Sequence, residues 1–139
     1  MSKKTRDKIL SKLQRLDQYL VYLKEISKYR KDLFVSDYRV HGLGERYLQL
    51  SIEILLDVGK LLVIEFELAR PETNHEIFDL LREAKIINLD LHSRLGGIVG
   101  FRNILVHEYE KIDKGIVYKN LKSGLRDLAA FKRAVLRKL

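Results

Sequence analysis

Apolar residues return along this chain at the steps of an α-helix. Ile9, Leu13, Leu16, Leu20 and Leu23 step by four, three, four and three, which places them on one stripe and predicts a first helix from about Lys3 to about Tyr29. Leu48, Ile52, Leu55, Gly59, Leu62 and Phe66 repeat that step, while Leu50, Ile54, Leu61 and Ile64 cover other faces. A helix apolar on several sides belongs at the centre of a bundle or is shared with a second chain. It is predicted to begin near Asp37 or Gly44 and to end before Pro71, the only proline, because the residue preceding a proline is pushed out of helical geometry. Thr73 or Asn74 is placed to cap a third helix through about Ala84, and Asn88 or Asp90 a fourth. After a turn at Asp113, Lys114 and Gly115, the residues Val117, Leu121, Leu125, Leu128, Phe131 and Val135 outline a last helix. No window alternates strictly enough to predict a strand, so the expected fold is all-α, an up-and-down bundle of four or five helices forming one domain over residues 1–139.

One stripe is interrupted. Leu91, Leu95, Ile98, Arg102, Leu105 and Tyr109 recur at helical steps, so an arginine and a tyrosine stand where the pattern asks for leucines. Arg102 and Tyr109 are two turns apart and almost eclipsed, while Asn103 and His107 form an i, i+4 pair roughly 100 to 140° around the same helix. An unpaired buried guanidinium costs several kcal/mol, so Arg102 requires either a carboxylate, with Glu45 and Glu53 as candidates, or a water-filled cleft. Gly96, Gly97 and Gly100 lie just upstream. Each weakens a helix interior by roughly 1 kcal/mol relative to alanine, which implies either close approach of another helix or of a second copy, or a kink.

Composition narrows the classes. The chain of 139 residues has 46% apolar content, enough for a packed core, and no cysteine, which excludes disulfide and thiolate-metal frameworks and fits a reducing cytoplasm. The first residues carry no apolar run of signal-peptide length, and the greasiest stretch, residues 54–66, contains Asp57, Lys60 and Glu65, so no membrane span is expected. The net charge of +8 sits at the two ends: residues 1–15 hold six Lys/Arg against one acid, and residues 126–139 hold five against one. Such clustering suits a polyanion, through counterion release, as well as it suits two solvated helix faces.

Arg102, Asn103, His107 and Tyr109 together bring a fixed cation, a carboxamide, a group that titrates near neutrality and a phenol within two turns. Those groups suit phosphodiester cleavage. An arginine can hold a phosphate in bidentate fashion and neutralise its developing charge, and a histidine can move the proton of the attacking or leaving oxygen. With RNA the substrate's own 2′-hydroxyl can attack, so neither metal nor cofactor is expected, and His41, His75 and His92 are scattered without ligand spacing.

The run RNILVHEY, residues 102–109, resembles the R-x4-H-x-Y motif of the HEPN superfamily, in particular its HepT-like toxins. The segments 45–62, 101–113 and 117–135 are similar to that family's segments in the same order. The resemblance implies an all-α homodimer acting as a metal-independent endoribonuclease toxin, with its active site between protomers. By the same resemblance Arg102 and His107 match the catalytic pair, Asn103 the polar position after the arginine, and Tyr109 a tyrosine to which a minimal nucleotidyltransferase antitoxin attaches AMP. Two other readings stay open: a non-catalytic substrate-binding or regulatory subunit of a nucleotidyltransferase, and a helical dimerisation module in which Arg102 is simply a buried ion pair.

Overall fold

The computed structural model describes residues 1–108 and 110–139. Among these residues six helices follow one another: α1 Lys3–Ser27, α2 Lys31–Ser36, α3 Tyr38–Glu65, α4 Asn74–Glu83, α5 Leu89–His107 and α6 Lys114–Leu136. Five of them are those the periodicity predicts, and the starts sit on the expected caps. The side chains of Asp37, Thr73, Asn88 and Asp113 accept backbone N–H groups from the first turns of α3, α4, α5 and α6, satisfying donors that the helices leave unpaired. Helix α2 was not expected. It is a six-residue helix that buries only Phe34, too short for a periodic pattern to declare itself.

The ends of α3 and α4 share one device. Glu67 and Lys85 take left-handed backbone angles, φ 53° and 61°, and the next residues, Leu68 and Ile86, donate N–H bonds of 2.9 Å back to Val63 and Leu81. This is a Schellman closure built without glycine. It stops α3 at Glu65, ahead of Pro71, and leaves Phe66, expected on the buried stripe, exposed at the cap.

Helix α3 packs against all five other helices, which explains its apolar residues on several faces. Ile52, Leu55, Val58 and Leu62 are sealed there, with Leu16 and Leu23 from α1, Ile77 and Phe78 from α4, Leu95 from α5 and Leu128 and Phe131 from α6. Gly59 has a packing reason: a Cβ there would lie 2.7 Å from a methyl of Ile77, so only glycine lets α4 approach. Among the described residues no helix is long and apolar enough to cross a membrane.

Candidate active site on helix α5

Helix α5 is unbroken from Leu89 to His107, so its glycines make no kink that ends it. Leu91, Leu95, Ile98 and Leu105 are buried against the bundle, and Arg102 shares their stripe at 27% side-chain exposure. On a second face, Ser93, Gly97, Ile104 and His107 are exposed and Gly100 is partly so, stepping by four, three, four and three. A Cβ added at Gly96, Gly97 or Gly100 would meet nothing within 4 Å. Among the described residues nothing inside the protomer therefore requires glycine there, and this face of α5 is open to them.

Arg102 has a carboxylate neighbour, but not a tight one. Its Nη2 lies 3.6 Å from Glu53 Oε1, beyond hydrogen-bond length, and its buried Nε has no partner among the described residues. Glu45, the other candidate partner, is engaged elsewhere: Lys114 donates to it at 2.5 Å and His41 Nδ1 lies 3.3 Å away. Asn103 is exposed, and so is His107, the final residue of the helix, for which no side-chain partner exists among the described residues. Arg102 and His107 are separated by roughly 140° about the helix axis, so one protomer does not bring them onto a common face. Tyr109 lies outside the described residues.

Glu53, one of the two carboxylates expected for Arg102, belongs to a longer polar row that the sequence reading did not pick out. His41, Glu45, Gln49 and Glu53 form an i, i+4 ladder of polar side chains on α3, tied by the His41–Glu45 contact and by Gln49 donating to Glu53 at 3.2 Å. The signal was available as a polar row at helical spacing in an otherwise apolar helix. Beside it opens a depression of about 530 Å³, lined by Glu45, Arg46, Gln49, Leu105, Val106 and Lys114 among others. Of the remaining histidines, His92 lies 2.6 Å from Asp79, tying α5 to α4, and His75 is exposed. Among the described residues no three His, Asp or Glu side chains group as a metal site would require.

A guanidinium held part-way into an apolar stripe with spare hydrogen-bonding capacity can take a phosphate, and an exposed imidazole on the same helix can exchange protons. Residues 9–135 match the family model described as ribonuclease HepT-like. The chain belongs to the HepT-like ribonuclease family. Two relatives align over almost its whole length. The tRNA nuclease HepT of Aphanizomenon flos-aquae is 27% identical over 127 residues, 91% of this chain and 86% of that protein. The mRNA nuclease HepT of Shewanella oneidensis is 24% identical over 129 residues, 90% and 93% of the two chains. The same fold occurs in a tri-AMPylated Shewanella oneidensis HEPN toxin solved in complex with MNT antitoxin, at TM-score 0.85 and 22% identity, covering 93% of this chain and 96% of that one. Helix α5 lies wholly within the residues that match this family.

Proposed function

We propose that this chain, as one HEPN-like domain over residues 1–139, is a metal-independent endoribonuclease toxin of a HEPN/nucleotidyltransferase module, with Arg102 and His107 as its catalytic pair. The observation that carries this reading is the state of Arg102, which is half-buried in an apolar stripe, its Nε without a partner among the described residues and a carboxylate held 3.6 Å away. Such a group gains most from an arriving phosphate. The names of the tRNA and mRNA nuclease relatives support RNA as the substrate.

In this mechanism Arg102 binds the nonbridging oxygens of the scissile phosphate and neutralises the charge gathering there. The ribose 2′-hydroxyl attacks phosphorus as its proton passes to an imidazole. The bond to the 5′-oxygen breaks, and that oxygen takes a proton from an imidazolium, leaving a 2′,3′-cyclic phosphate and a 5′-hydroxyl. A second copy of the chain brings its own arginine and histidine to the site, so the separation within one helix no longer matters. Asn103, exposed one residue beyond Arg102, donates to the substrate at the same edge.

The antitoxin of this module is a minimal nucleotidyltransferase, and Tyr109 is the acceptor of AMP. The tri-AMPylated state of the Shewanella toxin supports modification as the means of silencing. AMP on Tyr109 adds a phosphate anion to the toxin, which then competes with RNA for the guanidinium of Arg102. The setting is the cytoplasm.

The test is RNA cleavage in the presence of chelator by the protein purified without its antitoxin. Products ending in 2′,3′-cyclic phosphate are expected, and intact-mass measurement after co-expression with the antitoxin should show added adenylyl groups that a Tyr109→Phe variant lacks. Absence of any cleavage by unmodified protein would leave a non-catalytic subunit of the nucleotidyltransferase as the correct reading.

A further inference from the structure

At the opposite end of α5 from His107, the C-terminal ends of α4 and α6 meet the start of α5 around a cavity of about 510 Å³. Its rim carries four cations, Arg82, Lys85, Arg137 and Lys138, and among the described residues no carboxylate lines it. Its floor is apolar, formed by the buried Ile86, Ile87 and Leu91. We infer that this pocket is a second RNA-binding site, which takes a phosphate of the strand between Arg82, Lys85, Arg137 and Lys138 at a distance from the cleaved bond.

Ordinary structural roles account for part of this charge. Arg82 sits in the last turn of α4 and Arg137 caps α6, where a cation complements the helix dipole. Two helix ends together present only about one unit of negative charge, and the N-terminus of α5 adds about half a unit of positive charge. Four full cations therefore leave a large excess. Elsewhere the protein pairs the cations it packs: Arg94 holds Asp127 at 2.6 Å, and Lys132 holds Asp17 at 2.5 Å. None of the four at the pocket forms an ion pair among the described residues. All four are exposed, so no burial cost forced a partner on them, and their convergence on a concave surface raises the local potential for an anion. The apolar floor suits the face of a ribose or base beneath the phosphate.

Helix length sets the span. From Leu89 to His107 the axis covers roughly 27 Å, and to Arg102 roughly 20 Å. At roughly 3.4 Å of rise per stacked nucleotide, about six to eight nucleotides separate the two sites. A long RNA can occupy both, and a dinucleotide only one.

RNA as the ligand rests on the reading of the active site given above, yet pocket and catalytic pair can fail separately. The experiment measures anisotropy of a labelled 20-nucleotide RNA across a salt series in chelator, and cleavage of that RNA and of a dinucleotide. The proteins are the unmodified chain, Arg137→Gln/Lys138→Gln, and Arg82→Gln/Lys85→Asn, the asparagine being chosen because it accepts the left-handed backbone of Lys85. Each pair should weaken binding of the long RNA roughly tenfold near 0.1 M salt and make the slope of log K against log salt about 1.4 shallower, the value for two lost phosphate contacts on a single strand. KM for the long RNA should rise with kcat unchanged, and dinucleotide cleavage should not move. Free ATP or inorganic phosphate at millimolar concentration should compete only weakly, because each reaches one site.

Unchanged affinity and slope in both variants would overturn the second site, as would an equal loss on the dinucleotide. ATP competing at micromolar concentration would replace RNA by a free nucleotide as the ligand. A chain that binds long RNA through these residues but cleaves nothing would overturn the catalytic reading and leave the pocket standing.

Discussion

Helix α5 carries two arginines two turns apart with opposite lives. Arg94 and Arg102 have nearly equal side-chain exposure, 28% and 27%, and in both the Nε is buried without a partner among the described residues. Arg94 is gripped by the buried Asp127 at 2.6 Å and by Asp90 at 2.9 Å. Burial works against its charge, but the hydrogen bond and attraction of Asp127, followed by those of Asp90, outweigh it and raise its pKa further above an already high value. Arg102 has one carboxylate, Glu53, at 3.6 Å, itself 36% exposed and already accepting from Gln49. Exposure alone would class the two together. Their partners separate them: Arg94 holds α5 to α6, and Arg102 is held loosely for something else.

The contrast predicts a double dissociation. Arg102→Ala should cut RNA cleavage by roughly 10² to 10³, the cost of removing a donor to developing phosphate charge, while leaving the melting temperature close to that of the parent. Arg94→Met should do the reverse. It strands the buried Asp127 with only the exposed Arg126 at 3.3 Å, and should lower Tm by roughly 5 to 10 °C while the molecules still folded keep their kcat. Thermal melts and initial rates on the same preparations check both. Equal loss of stability in the two variants would return Arg102 to the role of a structural ion pair.

A smaller effect is expected from Glu53→Gln. The carboxylate next to Arg102 opposes an incoming phosphate, and an amide of the same shape keeps the contact without the charge. KM for RNA should fall about two- to threefold with kcat little changed. A kcat loss as large as that of Arg102→Ala would instead make Glu53 part of the reaction.

Much of this architecture was legible because it is written locally. The caps Asp37, Thr73, Asn88 and Asp113 act within their own first turns, and the stripes of α1, α3, α5 and α6 repeat often enough to stand out. Helix α2 offers one buried residue and no repeat. The end of α3 was bounded only by Pro71, because glutamate occupies the left-handed position where glycine is the usual sign, whereas α4 ends at Glu83, one residue from the expected Ala84. At the site, the broken stripe of α5 pointed to Arg102 without fixing its partner, since Glu45 and Glu53 both lie on α3, roughly two turns apart. Only the packing shows Glu45 committed to Lys114 and His41, and Glu53 left for Arg102. The four cations at the far end of α5 come from two helix ends more than 50 residues apart, and no window of the chain brings them together.

The most direct test of the central claim is RNA cleavage in chelator by the unmodified protein and by His107→Ala, side by side at equal concentration. His107 is exposed at the end of α5, so its replacement should leave folding and Tm intact. Loss of product by roughly 10² to 10⁴ with an unchanged melt is the predicted result. Cleavage by His107→Ala at the parent rate would contradict the assignment of this helix as the catalytic element.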